Sequence, residues 1–128
     1  MSEGKQWLRF AFEDLKMARL ALSEQIFNQA CFHAQQCAEK ALKGIILSAR
    51  RPVPRTHKLA DLAALLEGRL PEDLLPRIVL LDRFYTTTRY PDALPGYLPE
   101  GLPGREESEE AVSAAAELFD LARKLLGS

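Results

Sequence analysis

The sequence is poor in the residues that build metal and redox centres. It contains two cysteines and two histidines among 128 residues, so a metal site that needs several histidine ligands is excluded. Cys31 and Cys37 would point about 240° apart on a helix. Because they can neither form a disulfide with each other nor bind one zinc ion together, we predict two small core residues in a reducing compartment.

Several sequence signatures of enzymes and membrane proteins are also missing. There is no glycine-rich phosphate loop, no HExxH zinc motif and no serine flanked like an activated nucleophile. No apolar run has the length of a membrane span and the N-terminal stretch MSEGKQWLRF lacks a hydrophobic signal sequence, so we expect a cytoplasmic protein without membrane contact. A net charge of −1 excludes an overall basic surface. We therefore assign no catalytic residue, no metal and no cofactor.

What the sequence does contain is a helical spacing of apolar residues along most of its length. Prolines interrupt this spacing in RRPVPRT and in the long stretch RYPDALPGYLPEGLPGRE, which we interpret as an ordered loop. We expect Thr56 to cap the third helix. The predicted helices cover about residues 3–23, 27–49, 56–67, 71–87 and 106–125.

No stretch is convincing as a β-strand, and 47% of the residues are hydrophobic, enough to fill one core. The sequence therefore predicts an all-α protein. Its architecture would be an antiparallel up-and-down bundle of about five helices, in one domain spanning residues 1–128.

The second predicted helix carries polar residues along one flank of its apolar face. At about 100° per residue these side chains fall within about 80° of one another. Amides that donate and accept hydrogen bonds, next to positive lysines, could line a groove for an anionic or nucleotide-like ligand. The same pattern fits a solvated face with a surface ion pair between Glu39 and Lys43, which the pattern alone favours. The candidates on this flank are His33, Gln36, Lys40 and Lys43.

Two other stretches contribute candidate ligand-binding residues. His57, in RTHKL, could act as a base or could bond to nearby backbone at a helix start. FYTTTRYPD contains Tyr85, Arg89 and Tyr90, and arginine suits phosphate while tyrosine stacks on bases. Alternatively, Tyr85 lies in the core and Arg89 pairs with a carboxylate such as Asp92.

Taken in order, three segments resemble the HEPN domain family. They are AQQCAEKALKGIIL on the second helix, THKLADL after the proline-containing turn and FYTTTRYPD after the fourth helix. The resemblance covers about Trp7 to Leu126. It implies a helical bundle that pairs as a homodimer, and a minimal nucleotidyltransferase encoded beside it. Many such pairs look like toxin–antitoxin systems.

The ribonuclease branch of that family places a histidine a few residues after an arginine, forming a metal-independent RNA-cleaving site at the dimer cleft. Here Arg89 is followed by YPDALPGY, which contains no histidine. Because histidine acid–base catalysis contributes about 10²–10⁴-fold to rate, its absence disfavours ribonuclease activity.

Three hypotheses about function follow. The leading one is a dimeric module that binds a nucleotide, an RNA or another phosphate ligand and acts with a separate nucleotidyltransferase. The second is a ribonuclease toxin in which Arg89 stabilises phosphate charge while His33 or His57 serves as base. The third is a structural dimerisation module whose polar flank faces solvent or the interface.

Overall fold

The computed structural model describes residues 2–85 and 101–127. The predicted all-α bundle of five α-helices is confirmed, and the described residues form no β-strand. The candidates Arg89 and Tyr90 lie outside the described residues. The helices are α1 (Glu3–Ser23), α2 (Phe27–Ser48), α3 (Leu59–Ala64), α4 (Leu74–Val79) and α5 (Arg105–Leu126), with a 3-10 helix (Leu80–Phe84) directly after α4.

Helix α2 lies at the centre of the molecule. It packs along α1 and α5, and another part of its surface meets α3 and the 3-10 helix. Between Phe27 and Leu47 it has no exposed residue. Every polar side chain on this part of α2 is therefore at least partly shielded from water, and most charged groups in such positions need partners.

Two glycines let α1 and α2 approach closely where α1 begins. A Cβ added at Gly44 would lie 3.0 Å from the carbonyl oxygen of Gly4, and one added at Gly4 would lie 3.1 Å from that of Gly44. Side chains larger than hydrogen would push the two backbones apart. The contact brings Trp7 beside the second half of α2, with the Lys43 ammonium 5.2 Å from its ring centre.

The third helix begins later than predicted. Thr56 does not cap it, because its hydroxyl accepts from the Lys58 amide and lies 3.1 Å from Asp61. The first amides of α3 are bound instead by a carboxylate of the 3-10 helix: Leu59 N–H donates to Asp82 Oδ1 at 2.8 Å. This cap ties the start of α3 to the segment that ends at Tyr85.

The predicted fourth helix is also shorter than its pattern suggests. It ends at Val79, and the chain tightens into a 3-10 turn that buries Phe84. Tyr85 then has extended backbone, with φ −75° and ψ 126°. The Tyr85 ring therefore does not follow the helical spacing of the preceding residues, and it lies partly exposed near the start of α3.

The apolar pattern predicts most of the core correctly. Leu8, Leu15 and both cysteines are buried. Burial raises the pKa of Cys31 and of Cys37 to about 12, so both thiols stay protonated and inert at neutral pH. Met17 of α1 lies outside this core and is 49% exposed. Within the described ranges, no helix has both the length and the apolar character to cross a bilayer.

Candidate functional site

The polar flank of α2 divides into two ion-pair clusters with different neighbours. The first cluster is formed with α1 around Asp14. Its Oδ1 atom lies 2.9 Å from His33 Nδ1, and its Oδ2 atom accepts a hydrogen bond from the Lys40 ammonium. Both carboxylate oxygens of Asp14 therefore have a partner.

Asp14 is stabilised in its charged form. Burial by itself would raise the pKa of this carboxyl group, but the hydrogen bonds from His33 and Lys40 outweigh it and hold the pKa below its ordinary value of 3.8. The side chains of His33 and Lys40 are only 22% and 27% exposed. The cluster thus closes the seam between α1 and α2, with little charge left for a ligand.

The second cluster is centred on Glu39, which directly precedes Lys40 in α2. The predicted pair with Lys43 is present, with Nζ 2.8 Å from Oε2, but it is buried rather than on the surface: the Lys43 and Glu39 side chains are 9% and 5% exposed. The same Oε2 atom lies 3.0 Å from His57 Nδ1. The solvated face that the pattern favours is therefore wrong for this part of the flank.

One oxygen of Glu39 is left over. Its Oε1 atom is buried and has no hydrogen-bond partner among the described residues. A carboxylate that accepts a hydrogen bond from the His57 Nδ1–H group fixes the imidazole tautomer. The other ring nitrogen, Nε2, then lies on the far side of a side chain that is 58% exposed.

The His57 ring stacks on an aromatic neighbour. Its centre lies 5.1 Å from that of Tyr85, and the two planes are 14° apart. Buried Gln35 donates to the His57 carbonyl at 3.3 Å, and Gln36 donates to Gln35 Oε1 at 2.7 Å. Glu39, Gln35 and Tyr85 thus hold His57 from three sides while leaving one edge of its ring open.

The connection before α3 is basic and exposed. Residues 49–58 contain no acidic residue, and Arg50, Arg51, Arg55 and Lys58 are all exposed. Arg51 donates to the Leu65 carbonyl at 2.6 Å, which holds the connection against the end of α3. Within residues 2–85 and 101–127, neither Arg55 nor Lys58 forms a salt bridge. Arg55 and Lys58, which have no salt-bridge partner among the described residues, therefore lie on either side of His57 in the sequence.

The structure thus brings the sequence candidates together in separate groups. His33 and Lys40 meet Asp14, Lys43 and His57 meet Glu39, and Tyr85 meets His57. Sequence reasoning missed Asp14 and the buried glutamine that fixes the His57 backbone. A usable signal for Asp14 was its place seven residues after Trp7, at the edge of the apolar stripe of α1. The described residues hold no group of three acidic, histidine or cysteine side chains that could bind a metal ion.

Comparison with known proteins gives consistent matches over nearly the whole chain. The HEPN domain model matches residues 5–125. "Putative toxin MJ1304" of Methanocaldococcus jannaschii is 27% identical over 96% of this chain and 88% of its own length. The crystal structure of TT1696 from Thermus thermophilus is 37% identical with a TM-score of 0.78, covering 98% of this chain and 99% of that chain. The crystal structure of ST0689, an archaeal HEPN homologue, is 31% identical with a TM-score of 0.76, covering 97% of this chain and 98% of that chain.

Proposed function

The chain belongs to the HEPN domain family, and on that premise we propose that it binds a nucleotide or another phosphate ligand at the His57–Tyr85 stack. The observation that carries the proposal is the stack itself, which is anchored by a buried carboxylate yet exposed at one edge. Stacked aromatic rings accept a base, and a nearby cation neutralises phosphate.

Charge distribution favours this end of the polar flank over the rest. Lys40 and Lys43 are neutralised by Asp14 and Glu39 inside the fold, so a ligand there would have to displace existing ion pairs. Arg55 and Lys58 carry no such partner in the described part of the chain. In this proposal Lys43 and Gln36 support His57 through Glu39 and Gln35 instead of contacting the ligand, while Lys40 stays paired with Asp14.

Two residues that follow Tyr85 closely in the sequence are further candidates for contact with the ligand. Arg89 and Tyr90 follow within five positions, and guanidinium and phenol groups suit phosphate and base recognition respectively. We include them as further contacts of the same ligand.

We further propose that the protein forms a homodimer and acts together with a separate minimal nucleotidyltransferase. The family supports this pairing, and the likeness to a protein named as a toxin supports a toxin–antitoxin pair. A module that recognises nucleotides would fit an enzyme that transfers them, because both would act on the same chemical group.

Calorimetric titration tests the binding function. The wild-type chain is titrated with AMP, ATP, GTP and a short single-stranded RNA, alone and mixed with the nucleotidyltransferase encoded beside it. We expect saturable binding of at least one ligand in one of the two settings. Heats indistinguishable from dilution in every case reject the proposal.

A second candidate function is RNA cleavage by a toxin. The Glu39–His57 pair favours it, because an imidazole held in one tautomer can take up a proton through Nε2. Expression should then arrest growth, and the purified protein should cleave RNA without added metal. Cleavage that persists undiminished in both His57→Ala and Arg89→Ala proteins excludes this site as its source.

A further inference from the structure

An open groove lies between the two short helices α3 and α4. Its volume is about 590 Å³, and most of the residues that line it are apolar. Ala60 and Ala64 are exposed and lie one turn apart on α3, while Leu75 and Val79 line the groove from α4. Because Val79 is 39% exposed, this apolar surface is accessible to a partner.

The groove carries negative charge at the end where α3 connects to α4. Glu67 and Glu72 both line it and both lie in that connection. Both are exposed, and neither forms a salt bridge with another described residue. Arg69 lies between them in the sequence but is not paired with either, and Arg77 of α4 is bonded to two glutamates of α5. Two uncompensated carboxylates beside an apolar floor favour a cationic partner.

The walls of the groove favour a helical occupant. Both walls are helices, whose backbone groups are bonded along the helix, and the first two amides of α3 bond to Asp82. The walls therefore offer no strand edge to an extended peptide, which would leave its own amides without partners. A helix satisfies its own backbone and presents apolar side chains at every third or fourth position, which suits a groove between two helices.

We propose that this groove binds an amphipathic, basic helix of another protein. The apolar face of that helix would lie on the alanines of α3 and on Val79, and its lysine or arginine side chains would pair with Glu67 and Glu72. The same carboxylates would repel the anionic surface of a membrane, so a protein partner is favoured over a lipid surface. The described lining of the groove includes no residue of the His57–Tyr85 stack, so this inference stands apart from the proposed function.

Two designed helical peptides of about 18 residues, both with leucine along one face, serve as probes. One carries lysine at its other positions and the second carries glutamate, and calorimetry measures the affinity of each for the protein. We expect the lysine peptide to bind at least about tenfold more tightly, and this preference should reverse when Glu67→Lys is combined with Glu72→Lys. Glu13→Lys with Glu24→Lys is the matched control. These two exposed glutamates change the net charge equally but do not line the groove, so the preference for lysine should remain.

The apolar floor of the groove is tested separately from its charge. Val79→Asn should weaken binding of the lysine peptide by at least about fivefold. Leu80→Asn should not weaken it, since Leu80 is more exposed, at 58%, but is not part of the groove lining. Circular dichroism on each variant verifies that it is folded.

Several results would overturn the proposal. One is equal or absent binding of the two peptides, and another is a lysine-peptide affinity that neither the charge reversal nor Val79→Asn changes. Loss of the protein's own oligomer in these variants, measured by light scattering, would assign the groove to a second copy of the chain. Phosphatidylserine vesicles that bind the wild type but not Val79→Asn would assign it to a membrane. None of these results bears on nucleotide binding by the His57–Tyr85 stack.

Discussion

The two carboxylates that meet the polar flank of α2 are satisfied to different degrees. Asp14 uses both oxygens, one for His33 and one for Lys40. Glu39 receives both Lys43 and His57 on a single oxygen, and its other oxygen has no partner in the described residues. The first cluster is closed, whereas the second retains bonding capacity.

The histidine of the second cluster is also more accessible than that of the first. The His33 side chain is 22% exposed and lies between two helices, while that of His57 is 58% exposed on a connection. Two residues of one type, each bound to a buried carboxylate, thus have different opportunities to meet a ligand. Ion pairing alone therefore does not distinguish His57 from His33, whereas the greater exposure of the His57 side chain does.

The largest expected effect comes from Glu39→Gln. It removes the negative charge beside Lys43, whose side chain is 9% exposed, and leaves a buried cation without compensation. We expect the free energy of unfolding in urea to fall by about 3 kcal/mol. Glu13 provides the control, because it is exposed and forms no salt bridge with another described residue. Glu13→Gln should change the free energy of unfolding by less than about 0.5 kcal/mol. Equal small effects in both proteins would show that the second cluster contributes no stability.

Asp14→Asn should have the next largest effect, and it should lower stability without changing ligand affinity. The amide cannot replace a charged acceptor for both His33 and Lys40, so we expect a loss of about 2 kcal/mol in the free energy of unfolding. Nucleotide affinity should stay unchanged, as measured by calorimetry on the folded variant. A loss of affinity without a loss of stability would move the ligand site to the first cluster.

The stability contributed by Asp14 should also depend on pH. Its pKa in the folded protein lies below the ordinary 3.8, so the unfolded chain binds the proton more readily. The contribution is therefore complete above pH 3.8 and disappears as the pH falls through the folded-state pKa. Urea midpoints of the wild type and Asp14→Asn should accordingly converge in acid. A constant difference across that range would contradict the assignment.

The smallest stability effect should come from the basic connection. Replacing Arg55 and Lys58 together by glutamine removes two exposed cations without salt bridges in the described ranges, so unfolding should change by less than about 0.5 kcal/mol. Affinity for the short RNA should fall, and its salt dependence should become shallower, because fewer counterions are released. Lys16→Gln with Arg19→Gln on α1 is the matched control. An unchanged salt slope would remove this connection from the site.

Much of the fold could be predicted from local pattern, because α1 and α2 are long and strongly periodic. The ends of α3 could not, since its first amides are capped by Asp82, which is 23 residues from Leu59 along the chain. The 3-10 turn after α4 likewise depends on packing of Phe84 into the core. Non-local partners decide such boundaries, and a sequence window does not contain them.

The candidate site was predictable in composition but not in arrangement. The helical wheel places His33, Lys40 and Lys43 on one flank, yet it cannot show which carboxylates they meet. Asp14 comes from α1 and His57 from the connection after α2. The pair of Glu39 with Lys43 was predictable from its spacing, but its burial was not, because spacing does not reveal what covers a helix.

We propose that one end of the polar flank of α2 is structural and that the other end contacts the ligand. The most direct measurement compares His33→Ala with His57→Ala, determining nucleotide or RNA affinity by calorimetry and unfolding free energy in urea for each. We predict that His57→Ala weakens binding by about tenfold, as loss of one stacking partner would, with a stability change below about 1 kcal/mol. His33→Ala should lower stability more and leave affinity intact. The reverse pattern, or equal loss of affinity in both variants, would contradict the account.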